Sequence, residues 1–359
     1  MKDKIIEVIL MLINITAFTL FFLFLKSINI FPPKYLYLMI LIYFLSLLIP
    51  IVIYFIPNNI ISKINILLLT TIFLITTISY KPVYKTNNLI ENKFKSVTTY
   101  QELKPFNILI SGSDSRINNI EQNTRSDVNI IVTVNPNNHK IILTSIPRDY
   151  YIPIHNTKYQ EKLTNIGVLG LDTLSKSLED LLNIKIDYYI KAGFKGVESL
   201  IDILGGIDIN NEIPFSSYIS KDVYFSKGLI HLNGYETILY ARERKSFPEG
   251  DLRRIKNHQV IIKSLINKIY KDKTYLLKYN EIMKYLNDTY ITDIPLDLMK
   301  DLIRRELDSL EEWQIDTITL TGEGTKRNTY LSKYKQYVML PELKEIEKTS
   351  TIINNLIIE

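Results

Sequence analysis

The sequence predicts a layered α-β-α domain with a mixed sheet, preceded by three membrane-spanning helices, and three observations predict it. Residues 5–80 hold three long apolar runs with very few charges. From Phe106 onward, short apolar strands alternate with segments whose leucines and isoleucines recur at helical spacing. Between these segments lie polar loops that carry arginine and aspartate at the strand ends.

The first apolar run, Ile5 to Leu25, contains Glu7 as its single charge; Tyr35 to Ile56 and Ile64 to Tyr80 contain none. A helix crossing ~30 Å of hydrocarbon needs roughly 20 residues, which the first two runs meet comfortably and the third just meets. Pro50 bends the second helix, which neighbouring helices tolerate. A cleaved signal peptide accounts for one run only and needs a small-residue cleavage site, which is not visible. The lysine distribution leaves orientation open: Lys2 and Lys4 favour a cytoplasmic start, but Lys26, Lys34, Lys81 and Lys85 then lie outside. Three spans do place the two termini on opposite faces. The expected organisation is a membrane anchor over 1–80, a polar linker over 81–105, a core over 106–270 and a further segment over 271–359.

In the core, Phe106–Gly112 reads as a strand running into a polar loop. Val128, Ile130, Val132 and Val134 alternate at period two, Asn135-Pro136-Asn137-Asn138 turns the chain, and His139–Pro147 returns as a second strand. Leu171, Leu174, Leu178 and Leu181 fall at helical spacing. Strand Ile184–Ile190 follows, then a helix with Val197, Leu200, Ile201 and Leu204 on one face. Gly205-Gly206 stops that helix, as glycine just past a helix end does. Ile207–Ile209 reads as another strand.

Composition narrows the chemistry. The net charge of +5 is spread without a basic block, which argues against nucleic acid and fits anionic head groups or a phosphorylated substrate. Without cysteine there is no disulfide, thiolate nucleophile or Cys-ligated zinc. There is no P-loop, no His-Glu-x-x-His and no nucleophile elbow. His139, His155, His231 and His258 lack ligand spacing, Gly322-Glu323-Gly324 reads as a loop, and the 24 tyrosines are scattered, although some could stack on sugar rings.

The arginines and aspartates are less ordinary. Gly112-Ser113-Asp114-Ser115-Arg116 follows a strand, Arg125-Ser126-Asp127 precedes the next, and Arg148-Asp149 closes the hairpin. Arg242 and Arg244 flank a glutamate, and Gly250-Asp251 opens a helix expected to reach about Ile269. On it Asp251, Arg254 and His258 share one face, opposite a stripe of Leu252, Ile255, Ile262, Ile266 and Ile269. Taken singly, such a residue is ordinarily a solvated loop residue or a surface ion pair. Gathered, several arginines match the oxygens of a pyrophosphate, and two carboxylates such as Asp114 and Asp127 can hold Mg²⁺ against substrate phosphates.

Five stretches carry a resemblance: FNILISGSDSR (106–116), TRSDVNIIVTVNP (124–136), LTSIPRDYYIPI (143–154), IKIDYYIKAGFKGVESLIDILGGIDI (184–209) and LIHLNGYETILYARERKSFPEGDLRRIKNHQ (229–259). Together they resemble the LytR–CpsA–Psr family, and 321–342 is similar to the C-terminal part of CpsA-type members. The resemblance implies an LCP-type catalytic domain outside a bacterial cell membrane. Its implied reaction is Mg²⁺- (or Mn²⁺-) dependent transfer of a phosphorylated glycan from a polyprenyl-pyrophosphate carrier to peptidoglycan, in teichoic-acid or capsule attachment. Membrane lipid is an implied partner and nucleic acid is not.

By position, Asp114 and Asp127 match the metal-binding aspartates. Arg148, Arg242 and Arg244 match pyrophosphate-binding arginines, with Arg116 and Arg125 as further substrate-binding candidates. Asp251 and Arg254 match the charged pair at the start of the last core helix, so the catalytic candidates are Arg148, Asp251 and Arg254, and His258 joins the substrate-binding set. The sequence departs from the family pattern at Arg253, Asn257 and His258, where Gly, Arg and Gln are usual, and Lys162-Leu163-Thr164 replaces Lys-Ile-Asn. The accessory domain that many CpsA-type members carry ahead of the core is expected to be absent. Two rival readings share these residues: a pyrophosphatase releasing phosphoglycan to water, and a lipid-binding regulator without catalysis. The leucines of 171–183 and 195–204 either line a prenyl channel or form plain core.

Overall fold

In a computed structural model the described residues are 103–114, 121, 123–309 and 311–359, with parts of 15–41. The third predicted membrane run and much of the first two lie outside them, as does most of the predicted linker. Among the described residues no helix is long and apolar enough to cross a membrane.

In chain order the strands are β1 (Phe106–Ser113), β2 (Val128–Asn135), β3 (Lys140–Ser145), β4 (Tyr151–Pro153), β5 (Gln160–Lys162), β6 (Tyr188–Gly193) and β7 (Ile207–Asn211), followed by β8 (Phe215–Ser216), β9 (Tyr224–Phe225), β10 (Gly228–Leu232), β11 (Tyr290–Thr292), β12 (Gln314–Thr319), β13 (Gly322–Arg327) and β14 (Gln336–Pro341). The helices are α1 (Leu163–Ile166), α2 (Leu171–Leu182), α3 (Phe194–Ile203), α4 (Gly234–Arg242), α5 (Asp251–Lys271), α6 (Thr274–Leu277), α7 (Tyr279–Tyr285), α8 (Leu296–Asp308) and α9 (Leu343–Ile358).

The chain divides into two compact units. One comprises residues 1–96 and 296–310; its described parts are helical stretches within 15–41 and α8, where Arg304 donates to Asp301 at 2.7 Å one turn away. The other comprises 97–295 and 311–359 and holds a six-stranded mixed sheet in the order β11-β6-β1-β2-β3-β12. β1 pairs antiparallel with β2 and parallel with β6, while β3 pairs parallel with β12. Two of the six strands therefore come from beyond residue 270.

Two faces of this sheet are covered, as the alternation along its strands requires. Leu109 and Ile131 point into one core with Leu174, Leu178 and Leu182 of α2 and Ile346 and Ile353 of α9. On the other face Gln259 of α5 donates to Ser145 Oγ at 2.9 Å and to the Ile318 carbonyl at 2.8 Å. A second core joins Ile201, Ile207, Phe215, Phe225, Tyr240 and Ile261. Leu171, Leu174, Leu178 and Leu182 of α2 thus belong to the first core, while Ile201 and Val197 of α3 belong to the second.

Several local expectations shift. The return strand of the hairpin begins at Lys140 because His139 takes a left-handed conformation (φ 51°), with Asn135 Oδ1 accepting from the Asn137 amide at 2.9 Å in the turn. The strand expected at Ile184 begins at Tyr188. Before it, the Asp187 amide donates to the Asn107 carbonyl at 2.9 Å, and side chains supply the rest: Asn107 Nδ2 donates to the Lys185 carbonyl at 2.8 Å, and the Asp187 carboxylate accepts from the Asn107 amide at 3.0 Å. The apolar stripe of α5 is also narrower than expected: Ile255 and Ile261 are buried, Leu252, Ile262, Ile266 and Ile269 only partly so, and Arg253, Asn257 and Gln259 are buried in their place.

The largest correction concerns Gly322-Glu323-Gly324. It is no loop but the start of β13, paired antiparallel with β14. A Cβ on Gly324 would lie 2.7 Å from the Tyr337 hydroxyl, so glycine is what lets that ring cross the strand.

Candidate functional site

The site forms where β1 ends, β2 begins and β3 ends, joined by the C-terminus of α4 and the N-terminus of α5. Gly112 pairs with Val128 across β1 and β2, and the Asp127 amide donates to the Gly112 carbonyl at 2.7 Å. That register sets Asp114 and Asp127 at one edge of the sheet. Ser126 anchors the segment from below: it is fully buried, shares a 2.7 Å hydrogen bond with Ser111 and meets Asn129 Oδ1 at 2.7 Å. Its amide donates to the Thr164 carbonyl at 3.1 Å, and the Thr164 amide to the Arg148 carbonyl at 2.8 Å. The loops bearing Asp127 and Arg148 are therefore fastened to one another through α1.

Arg148 Nη1 donates to Asp127 Oδ1 at 2.7 Å, and its Nη2 lies 3.8 Å from Asp251 Oδ1. The same Asp251 oxygen is 2.8 Å from Arg254 Nη2 and 3.9 Å from Arg244 Nη1. Three guanidiniums thus lie within 4 Å of one carboxylate oxygen, while Arg254 Nη2 donates its hydrogen bond to the other, Asp251 Oδ2, at 3.0 Å. Arg242 reaches the other aspartate, with Nη2 3.5 Å from Asp114 Oδ1, and its guanidinium lies 5.2 Å from the centre of the Phe194 ring.

A small recess beside these groups is lined by Asp127, Ser145, Arg148, Arg254, Ile255 and His258. The one-face arrangement of Asp251, Arg254 and His258 expected from helical spacing is what α5 presents. Arg125 stands exposed at the mouth of β2, apart from the paired cluster, and Arg116 lies outside the described residues.

Burial and charge act on these groups in opposing ways. Burial lowers the pKa of Arg148, but the hydrogen bond to Asp127 and the charges of Asp251, Asp127 and Asp149 outweigh it and raise the net value. Arg254 is lowered by burial, with Arg148 and Arg244 adding to the effect against Asp251 and Asp127. His258 is pushed down to about 3, by burial first and then by Arg254, against a hydrogen bond with the Ala241 backbone. It therefore stands in the recess as a neutral imidazole. The other two departures on α5 face elsewhere: Asn257 donates to the Tyr240 carbonyl at 2.9 Å, and Arg253 lies 3.6 Å from Glu212 and 5.0 Å from the centre of the Phe247 ring.

The pattern of arginines and aspartates does not reveal the residues that hold them. Glu243, flanked by Arg242 and Arg244, is 1% exposed. Its Oε1 accepts the amides of Arg244, Lys245 and Ser246 at 2.9–3.1 Å, and its Oε2 accepts the Tyr218 amide at 2.7 Å. A buried carboxylate with four backbone donors locks the turn from which Arg244 projects. A glutamate between two arginines reads as surface charge in a sequence, so nothing announced it. Lys162 likewise reaches Asp149 at 3.0 Å and steadies the residue next to Arg148.

Asp114 and Asp127 also suit a hard divalent cation. They offer carboxylate oxygens on paired strand ends, the hard donors that such a cation takes. Among the described residues no group of three or more histidines and carboxylates forms a closed cage.

Comparison with known proteins agrees with this architecture. The LytR_cpsA_psr family model matches residues 72–352. A polyisoprenyl-teichoic acid–peptidoglycan teichoic acid transferase TagU from Enterococcus faecalis is 31% identical over 224 residues, covering 62% of this chain and 72% of that protein. The TagU of Bacillus anthracis is 30% identical over 224 residues, covering 62% and 71%. Among solved structures, B. subtilis TagV superposes with a TM-score of 0.60 at 28% identity, covering 72% of this chain and 98% of that one. With a family match over most of its length and the same mixed sheet beneath the arginine cluster, the chain belongs to the LytR–CpsA–Psr family.

Proposed function

We propose that this protein transfers a phosphorylated glycan from a polyprenyl-pyrophosphate carrier onto peptidoglycan, outside the bacterial cell membrane. The observation that carries the reading is the convergence of Arg148, Arg244 and Arg254 on one oxygen of Asp251, with Arg242 and Asp114 alongside. Three guanidiniums held within 4 Å of a single carboxylate oxygen repel one another, and they stay together because that carboxylate and Asp127 balance them. A pyrophosphate offers the same neutralisation with more oxygens, so it would replace Asp251 as their common partner. The TagU relatives, named as teichoic acid transferases acting between a polyisoprenyl carrier and peptidoglycan, support the same chemistry.

In the proposed reaction a peptidoglycan hydroxyl attacks the glycan-proximal phosphorus. The new P–O bond forms as the bond to the bridging oxygen breaks, and polyprenyl phosphate leaves with that electron pair. Arg148, Arg244 and Arg254 disperse the charge that grows on the leaving phosphate, which is stabilisation by donors fixed in advance. Once the arginines turn to the phosphates, Asp251 is released to accept the hydroxyl proton. The neutral His258 lines the head-group end without adding charge. Asp114 and Asp127 would hold a Mg²⁺ or Mn²⁺, which would supply positive charge against the phosphates. Positioning and charge stabilisation carry this mechanism, and no protein nucleophile is required.

The three apolar runs before residue 81 support a multi-pass membrane anchor that keeps the site near its lipid-linked donor. The decisive assay combines the full chain in detergent with a polyprenyl-pyrophosphate-linked glycan, Mg²⁺ and peptidoglycan fragments, read by mass spectrometry. A phosphodiester-linked product, lost on chelation, is the expected result. Free phosphoglycan in the presence of competent acceptor would point to a hydrolase, and tight donor binding without turnover to a regulator.

A further inference from the structure

The C-terminal hairpin β13–β14 leaves the same end of the sheet as the catalytic loops, because β12 runs parallel to β3 and both strands finish there. It is bound directly to the segment that carries Arg148. The Met339 amide donates to the Asp149 carbonyl at 2.7 Å, Tyr150 Oη to the Thr321 carbonyl at 2.5 Å, and Tyr151 Oη to the Asn328 carbonyl at 2.8 Å. Glu161, wholly buried, accepts the Leu331 amide at 2.6 Å and fixes the hairpin loop to β5.

What this fastened ribbon shows to solvent is aromatic and cationic. Tyr334 is 79% exposed and Tyr337 49%, while Tyr330 lies against Tyr159 with ring centres 4.7 Å apart and both rings about half in solvent. Tyr337 lies across Gly324, which has no side chain to lift it, so the ring rests on the strand. Lys326, directly opposite Tyr337 in the register, is exposed, as are Arg327, Lys333 and Lys335. Among the described residues none of these four cations is paired with a carboxylate.

Each of these side chains is ordinary when exposed singly; what sets the ribbon apart is that they lie together on a surface fastened to the segment that carries Arg148. Ring faces bind the apolar faces of sugars, and lysine and arginine bind carboxylates. We propose that the hairpin is the acceptor platform: it binds the peptidoglycan glycan strand, with the tyrosines against the sugars and the cations on the carboxylates of its peptides, and delivers a sugar hydroxyl toward Arg148. The proposal rests on the transferase reading above and adds the place where the acceptor docks. An anionic membrane surface is the rival occupant. It fits less well, because membrane anchoring scales with the apolar area buried, and Leu331 is the single exposed aliphatic side chain of the hairpin loop.

The test uses the full chain in detergent micelles and purified peptidoglycan sacculi stripped of wall polymers. Two variants probe the surface: Y334A/Y337A removes ring faces, and K333E/K335E reverses charge at exposed positions without touching packing. Expected is co-sedimentation of the wild type with sacculi, weakened about tenfold in each variant, with unfolding temperatures unchanged. In the transfer assay the acceptor KM rises by a similar factor while the rate at saturating acceptor is kept. Wild-type affinity in both variants overturns the platform, as does failure of the wild type to bind sacculi. Loss of binding to anionic phospholipid vesicles with sacculus binding intact overturns it in favour of the membrane. If the wild type binds sacculi through this hairpin yet transfers nothing, the platform stands and the transferase reading fails.

Discussion

Arg148 and Asp127 meet at 2.7 Å across the ends of β3 and β2, and that pair ties the arginine nearest the sheet to a carboxylate suited to a metal ion. Arg148→Ala removes a donor proposed to meet the phosphates and leaves Asp127 without its partner. Transfer is expected to fall by about 10²–10³-fold, the usual effect of deleting one preorganised donor. Stability should drop by only ~1–2 kcal/mol, since the pair is partly exposed and one like-charge contact with Arg254 is relieved. Product formation by mass spectrometry, set beside a urea unfolding curve, separates the two; a normal rate would remove Arg148 from the machinery.

Glu243 should prove more costly to the fold than any of the arginines beside it. Glu243→Ala strands four backbone amides, three of them in the turn that carries Arg244, and is expected to destabilise by ~3 kcal/mol or more. Glu243→Gln keeps one acceptor oxygen and should recover part of the stability. Because its action on the donor is indirect, the variant's donor KM should rise in step with the disorder of Arg244, with little change in the pH profile. Calorimetry and donor titration of both variants check this.

Asp114 is half exposed and its described ion-pair partner is Arg242, so Asp114→Asn should leave the free energy of unfolding within ~0.5 kcal/mol of wild type. Activity should fall, and the Mg²⁺ concentration for half-maximal rate should rise. Unaltered metal dependence would move the cation elsewhere.

His258 makes a prediction about acid. Its folded pKa is depressed to about 3 from 6.5, so between those values the unfolded chain holds a proton that the folded chain does not. Stability therefore rises with pH across that window and is lost as pH falls from about 6.5 toward 3, by at most ~1.4 kcal/mol per pH unit. Above 6.5 this group contributes no slope. Denaturation curves at pH 4.5, 5.5 and 7.5 should show the decline, and His258→Gln should flatten it. An equal decline in the variant would assign the acid sensitivity to other groups.

How much of this was legible beforehand differs by the range of the interaction. The β2–β3 hairpin, the helix stopped by Gly205-Gly206 and the shared face of Asp251, Arg254 and His258 are local matters of period and turn chemistry, and each reads directly from neighbouring residues. The family pattern fixed which arginines and aspartates to watch.

Only the tertiary structure decided what those residues do to one another. The convergence of Arg148, Arg244 and Arg254 on Asp251 joins positions up to 106 residues apart in the chain, and no local period encodes it. Nothing local marks Glu243 as buried, because one of its four donors, the Tyr218 amide, comes from across a loop. Gly322-Glu323-Gly324 looked like a loop because the ring that needs Gly324 bare belongs to the opposite strand. Sequence carries local propensity and the identity of the charges; burial, and the distance at which one charge meets another, exist only once the sheet has brought its ends together.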